Sequence, residues 1–202
     1  MLVVGFPAGP LEANCYLLAP EGGGECVIVD PGEDVVEPLE AALSTHGLTP
    51  VAMLATHGHP DHVASAGEIG ARHGIPLYLH EADRPLLGRD AGERKDGIVP
   101  LAEGPLGLAG LEITVSATPG HTAGSVVFGL TSAEGGRIVF TGDSLFAGSI
   151  GRSAGAGDEL VRSLDAKVMT MPDDTVVLPG HGPATTIGQE RAGNPFLAGT
   201  GA

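Results

Sequence analysis

Thr56-His57-Gly58-His59-Pro60-Asp61-His62 is the stretch on which the reading of this 202-residue chain turns. Three imidazoles and a carboxylate fall within six residues, directly after the apolar run Val51-Ala52-Met53-Leu54-Ala55. That run predicts a buried strand, so the cluster stands where a strand ends and a loop begins. Side chains of an extended segment alternate with a period of two, so His57 and His59 share a side and can reach one cation. Pro60 cannot continue the strand, and the turn it forces lets Asp61 and His62 aim at a second cation. With 8 His in the whole chain, chance crowding is a poor account of this spacing.

Downstream, the theme of strand followed by ligand type returns three times. Leu111, Ile113 and Val115 alternate as a strand and lead into Thr118-Pro119-Gly120-His121. Residues 137–141, predicted to pair with 125–130, run into Gly142-Asp143-Ser144, and a short strand over 175–178 precedes Pro179-Gly180-His181-Gly182. In each case Gly and Pro fix the loop that presents the His or Asp.

Towards the N-terminus, residues 11–19 and 25–30 read as a hairpin around 20–24, with Cys26 opposite about Leu18. Cys15 would then lie about 10 Å farther along at ~3.3 Å per residue, beyond the ~7 Å limit for a bridge. Both cysteines are therefore expected as free thiols, in a cytoplasmic protein. Asp30-Pro31-Gly32-Glu33-Asp34 reads as a turn capping a helix over 34–46, on which Val35, Val36, Leu39 and Leu43 recur at helical spacing. Val63, Ala66, Ile69 and Gly70 predict a helix over 63–73 whose N-terminal amides face the cluster and could hold an anion. A third helix is expected over 159–170. His46 and His73 fall at helix ends and His80 ends a predicted strand over 75–79; the better-spaced histidines fill both sites without them. The polar run 88–97 reads as a surface loop, with a lid as the functional alternative.

The 33 Gly and 16 Pro punctuate apolar runs in a chain that is 42% hydrophobic, which describes a loop-rich globular protein with ample length for a core. Ten Lys and Arg against 25 Asp and Glu give a formal net charge of −15. No basic stripe that could track phosphates is visible, which argues against a nucleic-acid partner. Neither a basic leader with an apolar core nor an apolar run near the ~20 residues of a membrane span is present, so no membrane partner is expected. Residues 1–202 are expected to form one domain of the α/β class, an αββα sandwich of two mixed sheets packed face to face with helices outside. The metal site would lie at the strand ends along one edge.

The set His57-x-His59-x-Asp61-His62, Pro119-Gly120-His121-Thr122, Thr141-Gly142-Asp143 and Pro179-Gly180-His181-Gly182, in this order, resembles the metallo-β-lactamase fold superfamily. Within it, Asn14-Cys15-Tyr16, Gly142-Asp143-Ser144-Leu145-Phe146, Gly148-Ser149-Ile150-Gly151-Arg152 and Glu190-Arg191-x-x-Asn194-Pro195-Phe196 resemble the short, single-domain hydroxyacylglutathione hydrolases, the glyoxalase II-like group. The resemblance implies two divalent cations, Zn²⁺ first and Fe²⁺ or Mn²⁺ as alternatives, which suits imidazole and carboxylate donors. It gives His57, His59 and His121 to the first cation and Asp61, His62 and His181 to the second, with Asp143 between them.

It further implies a hydrolase in which Asp61 and Asp143 position a bridging hydroxide for attack on a small-molecule thioester such as S-lactoylglutathione. A thiolate, of pKa about 8.5, leaves such a centre without a general acid. Ser125 and Ser144 then read as structural hydroxyls. Arg152 falls where those enzymes place a carrier-contacting Lys, and Arg191 is a second candidate for a carboxylate, against a purely structural ion pair. The classical two-domain enzymes carry a C-terminal helical substrate domain that is not expected here. Ser153-Ala154-Gly155-Ala156-Gly157 replaces their acidic and aromatic residues, which leaves the carrier thiol open. The competing resemblance is to mononuclear-iron persulfide dioxygenases of the same fold. A reading of another class is a metal-stabilised, non-catalytic interaction domain. Nothing in the sequence fixes the oligomeric state.

Overall fold

The computed structural model describes residues 1–87, 97–153 and 159–197, so most of the polar 88–97 run and the 154–157 stretch lie outside the described residues. Strands β1 (Leu2–Ala8), β2 (Ala13–Ala19), β3 (Glu25–Val29), β4 (Thr49–Leu54), β5 (Leu77–His80) and β6 (Ile98–Leu101) form one sheet in that order. Pairing is antiparallel from β1 to β3 and parallel from β3 to β6. Strands β7 (Gly104–Leu108), β8 (Leu111–Ala117), β9 (Val126–Thr131), β10 (Arg137–Gly142), β13 (Val176–Pro179) and β14 (Thr185–Thr186) form a second sheet, ordered β14-β13-β10-β9-β8-β7. Only β10 and β13 run parallel there. A small hairpin of β11 (Leu145–Phe146) and β12 (Ser149–Ile150) stands apart. The helices are α1 (Val36–His46), α2 (Pro60–Val63), α3 (Ala66–His73), α4 (Glu159–Lys167) and α5 (Ile187–Gly193).

Three apolar layers show why the chain adopts this sandwich. Residues of β2 to β4 alternate between two buried faces: Leu17, Ile28 and Met53 pack under α1 and α3, while Leu18, Val27 and Leu54 face the second sheet. A strand buried on both sides must read as a continuous apolar run, which is how 51–55 reads. Ile113, Val115, Phe128 and Phe140 supply the facing surface of the second sheet. Its outer side, through Val127, Val139 and Val177, is covered by Leu160 and Leu164 of α4 and Ile187 of α5. The expected αββα architecture is the observed one, and among the described residues no helix is long and apolar enough to cross a membrane.

Local expectations fare unevenly. Cys15 and Cys26 are free and buried, but Val27 rather than Cys26 stands opposite Leu18. Both faces of β2 and β3 are buried, so the apolar pattern carries no penalty against a one-residue slip and cannot set the register. The turn over 30–34 does not cap α1, whose N-cap is Val35 with no side-chain bond. The helix expected over 63–73 is two: α2 starts at Pro60 and takes Asp61 and His62 into its first turn, and α3 follows after a break. Of the amides before α3, those of His62, Ala64 and Ser65 already donate to the carbonyls of His59, Pro60 and Pro31 and are not free for an anion.

Candidate metal centre

All seven predicted side chains converge at one edge of the sandwich, between the strand ends of the two sheets. The loop after β4 supplies His57 and His59, and α2 supplies Asp61 and His62. The β8–β9 loop supplies His121, the end of β10 Asp143, and the turn after β13 His181. Their donor atoms form three sets, each within 4.8 Å: His57, His59 and His121; His57, His62 and Asp143; Asp61, His62 and His181.

The orientation of each ring follows from what holds its outer nitrogen. Nδ1 of His121 lies 2.9 Å from the Arg152 carbonyl and Nδ1 of His181 lies 3.0 Å from the Leu11 carbonyl. A carbonyl only accepts, so both rings carry a proton on Nδ1 and turn Nε2 inward. Thr56 Oγ1 donates to Asp30 Oδ2 at 2.7 Å, which leaves its lone pair for the His57 Nδ1–H at 3.1 Å. Asp30 Oδ2 also receives His62 Nδ1 at 3.0 Å, and Asp30 Oδ1 takes the Thr56 amide at 2.7 Å. One buried carboxylate thus orients two ligand-type imidazoles, the usual arrangement around a metal-bound histidine.

The inner atoms fit a cation better than they fit one another. His59 Nδ1 lies 3.1 Å from both His57 Nε2 and His121 Nε2, and His62 Nε2 lies 3.4 Å from His181 Nε2. Nitrogens bound tetrahedrally to one ion at ~2.0–2.1 Å are about 3.3 Å apart. Asp143 spans the sets, with Oδ2 3.6 Å from His121 and Oδ1 3.3 Å from His62 and 3.7 Å from His181. Its Oδ1 is buried and makes no hydrogen bond, since His62 approaches without hydrogen-bond geometry. A buried carboxylate oxygen with no donor is costly unless an ion completes it. The donor set therefore suits Zn²⁺, Fe²⁺ or Mn²⁺.

Electrostatics differ across the centre. Burial, then the surrounding imidazoles, pushes the His57 pKa well below its ordinary value, and burial also lowers that of His59. Burial would also lower His62, but Asp30 and Asp143 outweigh it and raise the pKa to about 10. The hydrogen bond from His181 pulls Asp61 down to about 2, and that same bond to Asp61 raises His181. Asp143, which burial alone would raise, is held low by His62, His181 and His121.

The other predicted residues separate cleanly. Arg152 is exposed beside the centre, where its carbonyl holds His121. Arg191 is not at the centre: it donates to the Met169 and Met171 carbonyls and pairs with Asp173, so the structural reading replaces the substrate reading. Glu190 and Asn194 of the same motif hold the β11–β12 hairpin through the Gly148 amide and the Ser149 carbonyl. Ser125 is engaged with Thr122 and Ser144 with Thr118. His80 caps the following turn by accepting from the Ala82 amide, and the half-buried His73 bonds Glu40.

Asn14 and Tyr16 gain a role, since they hold the His181 turn through the Pro179 and Gly182 carbonyls. Asp30 was the main residue that sequence reasoning missed. Its signal was available, because it is an acid directly after a buried strand, as Asp143 is. It also adopts a positive φ of 53°, the kind of backbone strain that collects at functional sites.

The chain is 43% identical to an uncharacterized protein of Mycobacterium tuberculosis over 98% of this chain and 99% of that one. It is 31% identical to the hydroxyacylglutathione hydrolase GloC of Haemophilus influenzae over 95% and 96% of the two chains. Among solved structures, TTHA1623 in a di-iron-bound form is similar at 40% identity and a TM-score of 0.79, covering 96% of this chain and all of that one. The B3 metallo-β-lactamase BLEG-1 is similar at 36% and 0.85, over 98% and 100%. ETHE1 from Myxococcus xanthus is similar at 27% and 0.83, over 98% and 85%. Residues 8–181 match the family described as the metallo-beta-lactamase superfamily, and with its sandwich and its edge of histidines and aspartates the chain belongs to that superfamily.

Proposed function

We propose that this protein is a dinuclear metal-dependent hydrolase that cleaves a small-molecule thioester, an S-hydroxyacyl thiol of the S-lactoylglutathione kind. The observation that carries the reading is Asp143, whose carboxylate reaches from His121 at 3.6 Å to His62 at 3.3 Å and whose buried Oδ1 is left without a donor. His57, His59 and His121 would hold the first cation and Asp61, His62 and His181 the second, with Asp143 reaching both. Zn²⁺ is the first choice of metal, and the likeness to a di-iron-bound protein keeps Fe²⁺ open. When bound, such a pair supplies a water of pKa near 7 and an electrophile for the carbonyl oxygen.

The chain's own residues do the rest. Asp61 and Asp143 flank the space between the sets, where their oxygens orient the attacking water and steady its proton. Asp30 and Thr56 keep the His57 and His62 rings turned inward while charge develops. The leaving thiolate needs no proton donor. Arg152, exposed beside His121, would meet a carboxylate of the carrier.

The likeness to GloC supports the thioester reading. A mononuclear-iron persulfide dioxygenase is the competing reading, favoured by the same ligand order but leaving Asp61 and His181 without a partner cation. A non-catalytic interaction domain fits less well, since structural metal sites favour closed, thiolate-rich shells and both cysteines here are buried elsewhere.

The test is thiol release from S-D-lactoylglutathione and other acyl thioesters by metal-loaded protein, with a β-lactam as comparison. Release that disappears in His57→Ala is the expected result. Oxygen uptake with glutathione persulfide and no thioester cleavage would transfer the assignment to the dioxygenase. Inertness to all of these would leave the interaction domain.

A further inference from the structure

The first ligand set has a peculiarity of assembly. His57 and His59 hang from the first sheet and His121 from the second, so their geometry depends on how two loops from different sheets are joined. One backbone bond does this directly, from the Val126 amide to the Thr56 carbonyl at 2.8 Å. The other link runs through a third element, the 3₁₀ turn Glu81–Leu86 that follows β5. Asp83 on that turn is fully buried, and every donor that meets its carboxylate belongs to a ligand loop. Oδ2 accepts the Gly58 amide at 2.9 Å and the Thr122 hydroxyl at 2.6 Å, and Oδ1 accepts the Gly124 amide at 2.7 Å.

Gly58 separates His57 from His59, and Thr122 follows His121 directly. A Cβ on Gly58 would meet the Asp83 carbonyl oxygen at 2.7 Å and one on Gly124 would meet the Asp83 carboxylate at 2.7 Å, so a side chain at either position would push against Asp83. Asp83 touches none of the seven ligand-type side chains in these bonds. Its effect on them passes through the loops alone.

We propose that Asp83 is a positioning residue for the first cation: it clips the His57–His59 loop to the His121 loop and sets the distance across which three imidazoles converge. This rests on the two-cation reading above. A carboxylate is needed because three donors converge on two oxygens, and each oxygen faces a backbone amide that can only donate. Asn has the same shape but only one acceptor oxygen, and its amide would face a backbone N–H. Asp30 serves His57 and His62 together, so its loss would touch both cations. Asp83 has bonds only to the first set's loops, so its loss would touch one.

Two readouts on the full-length protein test this. Zinc titration against a competing chelator should show two binding steps in the wild type. In Asp83→Asn one step should weaken by about 10- to 100-fold while the other stays within about twofold. Thr122→Val, which removes one donor of the three and keeps the carboxylate, should weaken the same step by a smaller factor. The second readout needs no metal. Hydrogen exchange of the Gly58 and Gly124 amides should accelerate in Asp83→Asn while the Val126 amide stays protected.

Equal weakening of both steps, with exchange rising at Val126 as well, would show a general fold defect and overturn the proposal. Unchanged steps and unchanged exchange would overturn it too. A wild type that binds one cation would instead defeat the two-cation reading, and the exchange pattern would then decide the clip by itself.

Discussion

Around His57, His59 and His121 the first ligand set is imidazole only, whereas Asp61, His62 and His181 at the other end mix imidazole with carboxylate. The contrast shows in protonation. Burial and neighbouring rings keep His57 and His59 neutral, with lone pairs free to coordinate. His62 and His181 are instead drawn towards the protonated form by the carboxylates they contact, chiefly Asp30 and Asp61, and an arriving cation must displace the protons on their inner nitrogens. One end is built to coordinate as it stands, and the other stores protons against its own carboxylates until metal replaces them. Asp143 belongs to both ends.

The largest expected effect tests that shared membership. Asp143→Ala should lose cations from both ends and abolish hydrolysis, measured as metal per chain by elemental analysis. His181→Ala should empty only the mixed end. Two cations retained in Asp143→Ala would break the comparison at its joint.

A middling effect tests the protonation contrast, in chelator-treated protein. The folded His62 pKa of about 10 lies above the ordinary 6.5, so its stabilisation is complete below about pH 6.5 and disappears as pH rises through 10. The folded Asp61 pKa of about 2 lies below the ordinary 3.8, so its stabilisation is complete above about pH 3.8 and disappears as pH falls through 2. Below about pH 6.5 the depressed pKa values of His57 and His59 act the other way, since these rings stay neutral in the fold while the unfolded chain takes up protons, so urea unfolding should show a maximum near pH 6.5, a loss of roughly 1–3 kcal/mol towards pH 10 and a decline on the acid side as well. Asp30→Asn should flatten the alkaline decline. A profile with no alkaline decline would make the two ends alike.

The smallest effect asks whether the carrier is met at the imidazole-only end, where the Arg152 carbonyl holds His121. Arg152→Ala should raise KM for a carboxylate-bearing thioester several-fold, up to about tenfold, with kcat little changed. Arg191→Ala should leave KM alone and cost about 1 kcal/mol of stability, because it bonds two carbonyls from a partly exposed position. An Arg152 variant with unchanged KM would remove that residue from the substrate's path.

Reading strands from apolar runs succeeded where both neighbours were punctuated by Gly and Pro, as at 51–55 and 137–141. It failed on the β2–β3 register, because a strand buried on two faces carries no in–out pattern to set it. Asp83 left no local mark, since an acid in a polar turn looks the same whether its donors come from water or from two distant loops. Arg191 misled for the opposite reason: its motif is specific, but its partners Met169, Met171 and Asp173 are some twenty residues away.

The sequence by itself determined which residues stand at the ends of which strands. A strand end, a proline and a two-residue spacing are short-range facts, and they sufficed to point to the ligand-type side chains; the resemblance of the four motifs to a known family then named the superfamily and completed the set of seven. Only the tertiary structure decided which ring nitrogen faces inward, which carboxylates orient the rings, and which arginine lies near the centre. Those depend on donors and acceptors brought together from opposite sheets, and no local pattern encodes a contact between loops more than sixty residues apart, such as His59 with His121 or His62 with His181.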